Sequence, residues 1–258
     1  ISDRHLFASL PFLTALFFAA HPVHTESINL IKNRSDLLAF LFLMSSLLLF
    51  IKSLAGTGRA SPGLLLLGSW FCFVPALLSK ESALPLPGVM VLYAVCFTTG
   101  PSRTRALVRI IPFGVIILAY LWFMHAFIHP AAPVPAGVSR PADIGQQVMT
   151  VIKTTGWYFR MLAVPFPLNA EHAFHIPSSL LEPPVLASLA ALLLISGVAV
   201  RSYRRSRLVL FATGWVVLTL LPAANIIYLL SRPVAEQRLY IPSFGFCLLL
   251  AYGINRLS

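Results

Sequence analysis

Four short stretches of this chain combine acids with bases. The first is His21-Pro22-Val23-His24-Thr25-Glu26-Ser27, continued by Lys32, Arg34 and Asp36. Two histidines three residues apart, with a carboxylate beside them, suit proton exchange or contact with a charged substrate. The same residues also suit capping at a membrane edge, with Pro22 starting a helix, Thr25 and Ser27 capping, and Asp36 favouring the next helix start. The second stretch is Ser79-Lys80-Glu81, either a neutralised pair of neighbours or half of a site. The third runs over residues 168–175 and holds His172 and His175, again three apart. The two histidine pairs together admit a divalent metal such as zinc, although no cysteine accompanies them, and no metal ligand is assigned. The fourth holds Arg232, Glu236, Gln237, Arg238 and Tyr240. Arginine offers a planar fork of donors that matches a phosphate, while headgroup snorkelling is the plainer use.

The elements that carry these stretches are apolar. A membrane-spanning helix takes about 20 mostly apolar residues. The pattern predicts spans near 5–22, 36–54, 62–78, 82–98, 107–127, 183–200, 208–224 and 239–255. Residues 148–164 lean apolar but carry Lys153 and Arg160, with Trp157 and Tyr158 between them. Charges in mid-bilayer are costly and Trp and Tyr favour the interface, so this stretch is expected to lie on the outer surface as an amphipathic helix. The proline-rich stretch 129–141 reads as an outer loop. The expected fold is all-α, a single multi-pass membrane domain of about eight spans plus the interfacial helix.

Composition restricts the function classes. Of the 258 residues, 58% are hydrophobic and only 10% are charged, with a mean hydropathy of +0.84. That excludes a soluble enzyme, a nucleic-acid-binding domain and a disordered chain. The net charge of +11 is read as orientation, so no nucleic-acid partner is expected. With residues 148–164 on the surface, Arg59, Arg103, Arg105, Arg201, Arg204, Arg205 and Arg207 fall on the cytoplasmic side. Glu26, Asp36, Glu81, Asp143, Glu171, Glu182 and Glu236 then fall on the opposite side, together with the four mixed stretches. The functional face is therefore expected outside. His24, Glu26, Lys80, Glu81, Glu236 and Arg238 are expected to converge there. Cys72, Cys96 and Cys247 lie in apolar runs and read as small buried hydrophobes. The chain begins at Ile1, without a signal-peptide pattern, and reads as a fragment.

The motifs resemble a known family. HPVHTES and KNRSDLLA, then LLSKES, PLNAEH and AEQRLYIPSFGFCLLL are similar, in this order, to the membrane domain of the transmembrane and tetratricopeptide-repeat-containing protein O-mannosyltransferases and their bacterial relatives. The likeness extends from Phe7 to Gly253, and Gln237 stands where those relatives place His or Arg. The resemblance implies a GT-C-type glycosyltransferase that moves a sugar, here mannose, from a polyprenyl-phosphate donor to a protein hydroxyl. It implies an active site on the periplasmic face of a bacterial inner membrane or the lumenal face of the endoplasmic reticulum. The family's acidic catalytic loop and its repeats are expected to lie outside these residues, with Glu26 and Glu81 as the acids at hand. His21, His24, Arg34, Lys80, Glu236, Arg238 and Tyr240 are the expected donor-phosphate and substrate residues. No cofactor is required, and the partners are the lipid-linked donor, a protein acceptor and membrane lipid. The competing classes are a transporter or flippase of a lipid-linked or anionic solute, and a non-catalytic membrane scaffold. The absence of acids from the span interiors counts against the former.

Overall fold

The computed structural model describes residues 9–56, 60–128, 143–169, 172–203, 206–224 and 233–257. Among them every regular element is helical. The described residues form ten α-helices: α1 Leu10–Ala20, α2 Thr25–Asn29, α3 Arg34–Ala55, α4 Pro62–Ser79, α5 Leu86–Phe97, α6 Gly100–Phe123, α7 Ile144–Ala163, α8 Pro183–Tyr203, α9 Arg207–Leu220 and α10 Tyr240–Leu257. Short 3-10 turns at Pro22–His24, Ile31–Asn33, Glu81–Ala83 and Glu236–Leu239 carry much of the mixed chemistry.

The helix starts follow local rules. Proline occupies the first turn of α1, α4, α5 and α6, where its missing N–H costs nothing. Ser61, Asp143 and Ser206 accept the free N–H groups that open α4, α7 and α9. Gly56, at φ +63°, closes α3 in a conformation that a side chain would disfavour. Pro75 and Pro112 lie inside α4 and α6, as expected for apolar membrane helices.

Among the described residues, four stretches are long and apolar enough to cross a membrane: Ile31–Ala55, Pro62–Ser79, Gly100–Phe127 and Pro183–Arg201. Leu10–Ala20, Glu81–Phe97 and Arg207–Ala223 are apolar but shorter. The stretch 129–141 and the cluster Arg204–Arg205 lie outside the described residues, as do Arg59, Glu171 and Arg232.

The chain forms two compact units. One combines Ile1–Asn33 with Ser139–Ser258, and the other is Arg34–Val138. In the first, α10 packs against α1 and α9, and α8 against α7 and α9. Val23, Tyr158, Met161, Leu162, Val216, Leu220 and Leu239 form a buried apolar cluster. Gly245 lets α10 approach α9 closely, since a Cβ there would stand 2.6 Å from the Ala212 carbonyl oxygen. In the second unit, α3 and α4 form an antiparallel hairpin. Buried Ser46 and Ser69 clamp it reciprocally, each hydroxyl donating to the other's backbone carbonyl at 2.8 and 2.7 Å. Cys96 and Cys247 are buried and Cys72 is half-buried, all as free thiols.

Candidate active site

In the first unit the turn at Pro22–His24 and helix α2 meet the turn at Glu236–Leu239. His21 closes α1, and both its ring nitrogens are engaged. Nε2 lies 3.1 Å from the Leu162 carbonyl, which can only accept, so Nε2 carries the proton. Nδ1 then accepts the Val23 N–H at 3.3 Å. His21 is thus a neutral clamp between α1 and the end of α7. His24 is buried, with Nε2 2.7 Å from Ser243 Oγ on α10 and a further bond to the backbone of Phe18. Phe18 and Tyr240 flank its ring at 4.5 and 4.6 Å between centroids. Burial, and then the nearby His21, push the His24 pKa down to about 4.

Two carboxylates converge on this region. Glu26 is buried on α2, and its Oε2 accepts the Gln237 N–H at 3.0 Å. Asn33, in the sequon Asn33-Arg34-Ser35, is buried and donates to the Glu26 backbone carbonyl at 3.1 Å. Glu236 is only 2% exposed. Its Oε1 accepts the Asn169 N–H at 2.6 Å and faces His172 Nε2 at 2.8 Å. An ion pair of Glu236 with Arg238, two residues on, is one expectation from the sequence. Among the described residues that pair does not form, because the 3-10 turn sends the two side chains to different partners. Arg238 Nη1 donates to the Tyr158 hydroxyl at 3.3 Å and to the Pro233 carbonyl at 3.1 Å. Its Nη2 and Nε make no hydrogen bond among the described residues. Gln237 Oε1 is buried there without a partner.

The second unit holds the other expected residues. Lys80 does not pair with its neighbour Glu81. Its Nζ lies 2.6 Å from Asp36 Oδ2, with Asp36 almost fully buried. The hairpin brings the start of α3 beside the end of α4, which the local sequence hides. Glu81 and Arg34 are exposed at the starts of their elements. His24, Glu26, Glu236, Arg238 and Tyr240 therefore gather in one unit, while Arg34, Lys80 and Glu81 belong to the other.

An apolar groove of about 860 Å³ runs beside the first unit's cluster. Trp157, Phe159, Leu194, Val216, Phe246 and Leu249 contribute to its walls, and Lys153, Arg160 and His175 supply polar lining. Lys153 donates to the His175 carbonyl at 2.7 Å, and Arg160 to the Phe166 carbonyl at 2.8 Å. Among the described residues no three His, Cys, Asp or Glu side chains converge as a metal group would require. The role of His172 beside Glu236 is absent from the expected donor set. Its repeat spacing with His175 suggests a metal pair, whereas its actual partner lies 64 residues away.

These features define the class as an all-helical membrane bundle with a polar cluster at its helix ends and an apolar groove alongside. The resemblance carried by the motifs extends over nearly the whole chain. The chain is similar to Protein O-mannosyl-transferase Tmtc3 of Drosophila melanogaster, at 26% identity over 96% of this chain and 32% of that protein. It is similar to TMTC3 of Mus musculus, at 27% over 95% of this chain and 30% of that protein, and to TMTC4 of Homo sapiens, at 26% over 98% and 39%. The chain thus spans about a third of the length of the curated relatives it matches. No protein-family model and no solved structure matches it.

Proposed function

We propose that this chain is the membrane-embedded part of a glycosyltransferase that moves a mannosyl group from a polyprenyl-phosphate donor to a protein hydroxyl. The reading places the polar cluster on the periplasmic or lumenal face. The relatives' names support the transfer reaction. The observation that carries the donor class is the groove: an apolar trough suits a prenyl chain, and Lys153 and Arg160 at its lining suit an anionic head. Among the described residues Arg238 has donors to spare, and its fork binds the phosphate as charge develops on the leaving oxygen. Gln237 Oε1 accepts from a sugar hydroxyl. Lys80 is neutralised by Asp36, and His21 is fully bonded, so both hold structure in this reading.

The test uses the full-length protein in lipid nanodiscs, with radiolabelled mannosyl-phosphoryl polyprenol and a Ser/Thr-rich peptide. Label transfer to the peptide is expected. Donor binding without transfer to any peptide supports a flippase or carrier instead. Absence of donor binding overturns the donor class.

A further inference from the structure

One end of the second unit is basic and lacks acids. Asp36 and Glu81 are the only acids between residues 34 and 138, and they sit where α3 starts and α4 ends. Lys52, Arg103, Arg105 and Arg109 lie toward the other end, and none of the four forms an ion pair among the described residues. Lys52 is about 24 Å along α3 from Asp36, more than two screening lengths at about 0.1 M salt. Helix dipoles do not cancel this charge. Helices α3 and α5 end there while α4 and α6 begin there, so their opposed half-charges offset one another. Two of the guanidiniums are fixed by backbone. Arg103 reaches back to the end of α5, where Nε and Nη2 donate to the Thr98 carbonyl at 3.2 and 2.9 Å and Nη2 to the Val95 carbonyl at 3.2 Å. Arg109 Nη1 donates to the Ser53 carbonyl, in the last turn of α3, at 2.7 Å and to the Ser53 hydroxyl at 3.4 Å. Among the described residues Arg109 keeps Nη2 and Nε available. Lys52, beside Ser53 in sequence, is exposed, as is Arg105, which donates to the Ser102 hydroxyl at 3.3 Å.

We propose that this end binds an anionic diacyl phospholipid, with its phosphate on Lys52, Arg105 and Arg109 and an acyl chain along α6. Arg105 and Arg109 are about one turn apart, roughly 6 Å along the axis, which matches a headgroup layer about 5–8 Å deep. Val108, Ile111, Val115 and Leu118 are 58, 64, 61 and 68% exposed. They recur three or four residues apart and form one apolar stripe leading away from the basic end. Gly100–Phe127 is long and apolar enough to cross a membrane, so the stripe suits acyl chains. An amphiphile presents an anion to the cations and hydrocarbon to the stripe at once. A soluble acidic peptide or a nucleic acid leaves the stripe uncovered. Orienting the chain in the bilayer needs cations near the span ends and nothing more. A guanidinium pinned to a helix carbonyl with donors left over is also oriented in advance for a phosphate, which lowers the ordering cost of binding. These residues are distinct from those of the first unit's groove, and the proposal stands without the transfer reaction.

The experiment holds the full-length protein in phosphatidylcholine nanodiscs and titrates in phosphatidylglycerol with a photoactivatable diazirine in its acyl chain. Adducts are mapped by mass spectrometry. Labelling should saturate on α6 between Val108 and Leu118, and the matching phosphatidylcholine probe should label there weakly without saturating. Each cation near a membrane surface changes affinity for anionic lipid about five-fold. Lys52→Gln combined with Arg105→Gln should therefore raise the half-saturating probe fraction roughly 5- to 25-fold. Arg201→Gln, at the exposed end of α8 in the first unit, should leave it unchanged. Equal labelling by the two probes overturns the site, as does an unmoved half-saturation in the folded double variant. An equal loss in Arg201→Gln means diffuse surface charge and overturns it too. Displacement of the probe from α6 by a trace of polyprenyl phosphate, but not by excess unlabelled phosphatidylglycerol, overturns the diacyl occupant. If the double variant does not fold, the wild-type titration is repeated at high salt, where half-saturation must rise; an unmoved value overturns the proposal.

Discussion

Among the described residues Arg238 keeps Nη2 and Nε available while Nη1 is held by Tyr158 and Pro233. A guanidinium fixed by one nitrogen is oriented in advance for a phosphate. Arg238→Ala should lower kcat/KM roughly 10- to 150-fold, corresponding to about 1.5–3 kcal/mol for a lost charge-assisted bond. Arg238→Lys should recover only part of this, because a point charge lacks the fork. Donor turnover measured against folded yield checks this, and unchanged turnover in both variants would refute it. His24 makes a pH prediction. Its folded pKa of about 4 lies below the ordinary histidine value of 6.5. The unfolded chain therefore binds the proton more readily, so the stability is complete above pH 6.5 and is lost as pH falls toward 4. The loss approaches about 3 kcal/mol at 1.36 kcal/mol per unit. Thermal unfolding in detergent between pH 8 and 4 should show this slope, and His24→Gln should flatten it.

At the scale of elements, α7 is the segment whose position matters most to the charge pattern. Lys153 and Arg160 interrupt it, and it is absent from the four helices long and apolar enough to cross a membrane. Cysteines placed at Val148 and Ala163, in a chain lacking Cys72, Cys96 and Cys247, should react with a membrane-impermeant maleimide from the same side. Labelling from opposite sides would mean that α7 crosses. The α3–α4 hairpin makes a second prediction. Removing one partner of a buried ion pair leaves the other charge uncompensated, so Asp36→Ala should destabilise the protein by about 3–5 kcal/mol. A double-mutant cycle with Lys80→Ala should show coupling, and additive losses would argue against it. These elements also show what the sequence makes legible. Apolar runs, capping residues and prolines mark most helices to within a few residues, because those signals are local. The partners of Lys80 and Glu236 were hidden because both have an oppositely charged neighbour in sequence, Glu81 and Arg238. The 3-10 turns direct those neighbours elsewhere, which no spacing rule registers. The groove was equally hidden, since its walls come from α7 through α10.

At the scale of the whole molecule, the first unit is assembled from both ends of the sequence, with residues 34–138 inserted between its parts. Helix α1 finds its packing partner in α10, and the His24–Ser243 bond joins positions 219 residues apart. Thr14 is buried on α1, at 4% exposed. A cysteine placed at Thr14 should react with a small thiol reagent in nascent chains arrested before residue 239, and become protected once α10 has been made. Early protection would mean that α1 is covered by something other than α10. The interlocking ends impose an order on biosynthesis. At roughly 5–20 residues per second, α1 waits on the order of 10–40 seconds for its partner to leave the ribosome. During that wait His24 lacks Ser243, and Glu26 lacks the backbone of Gln237. A ribosome that stalls before α10 therefore releases a chain bearing unsheltered histidine and glutamate at a membrane edge. Such a chain leaves open to water two polar side chains that the finished fold buries.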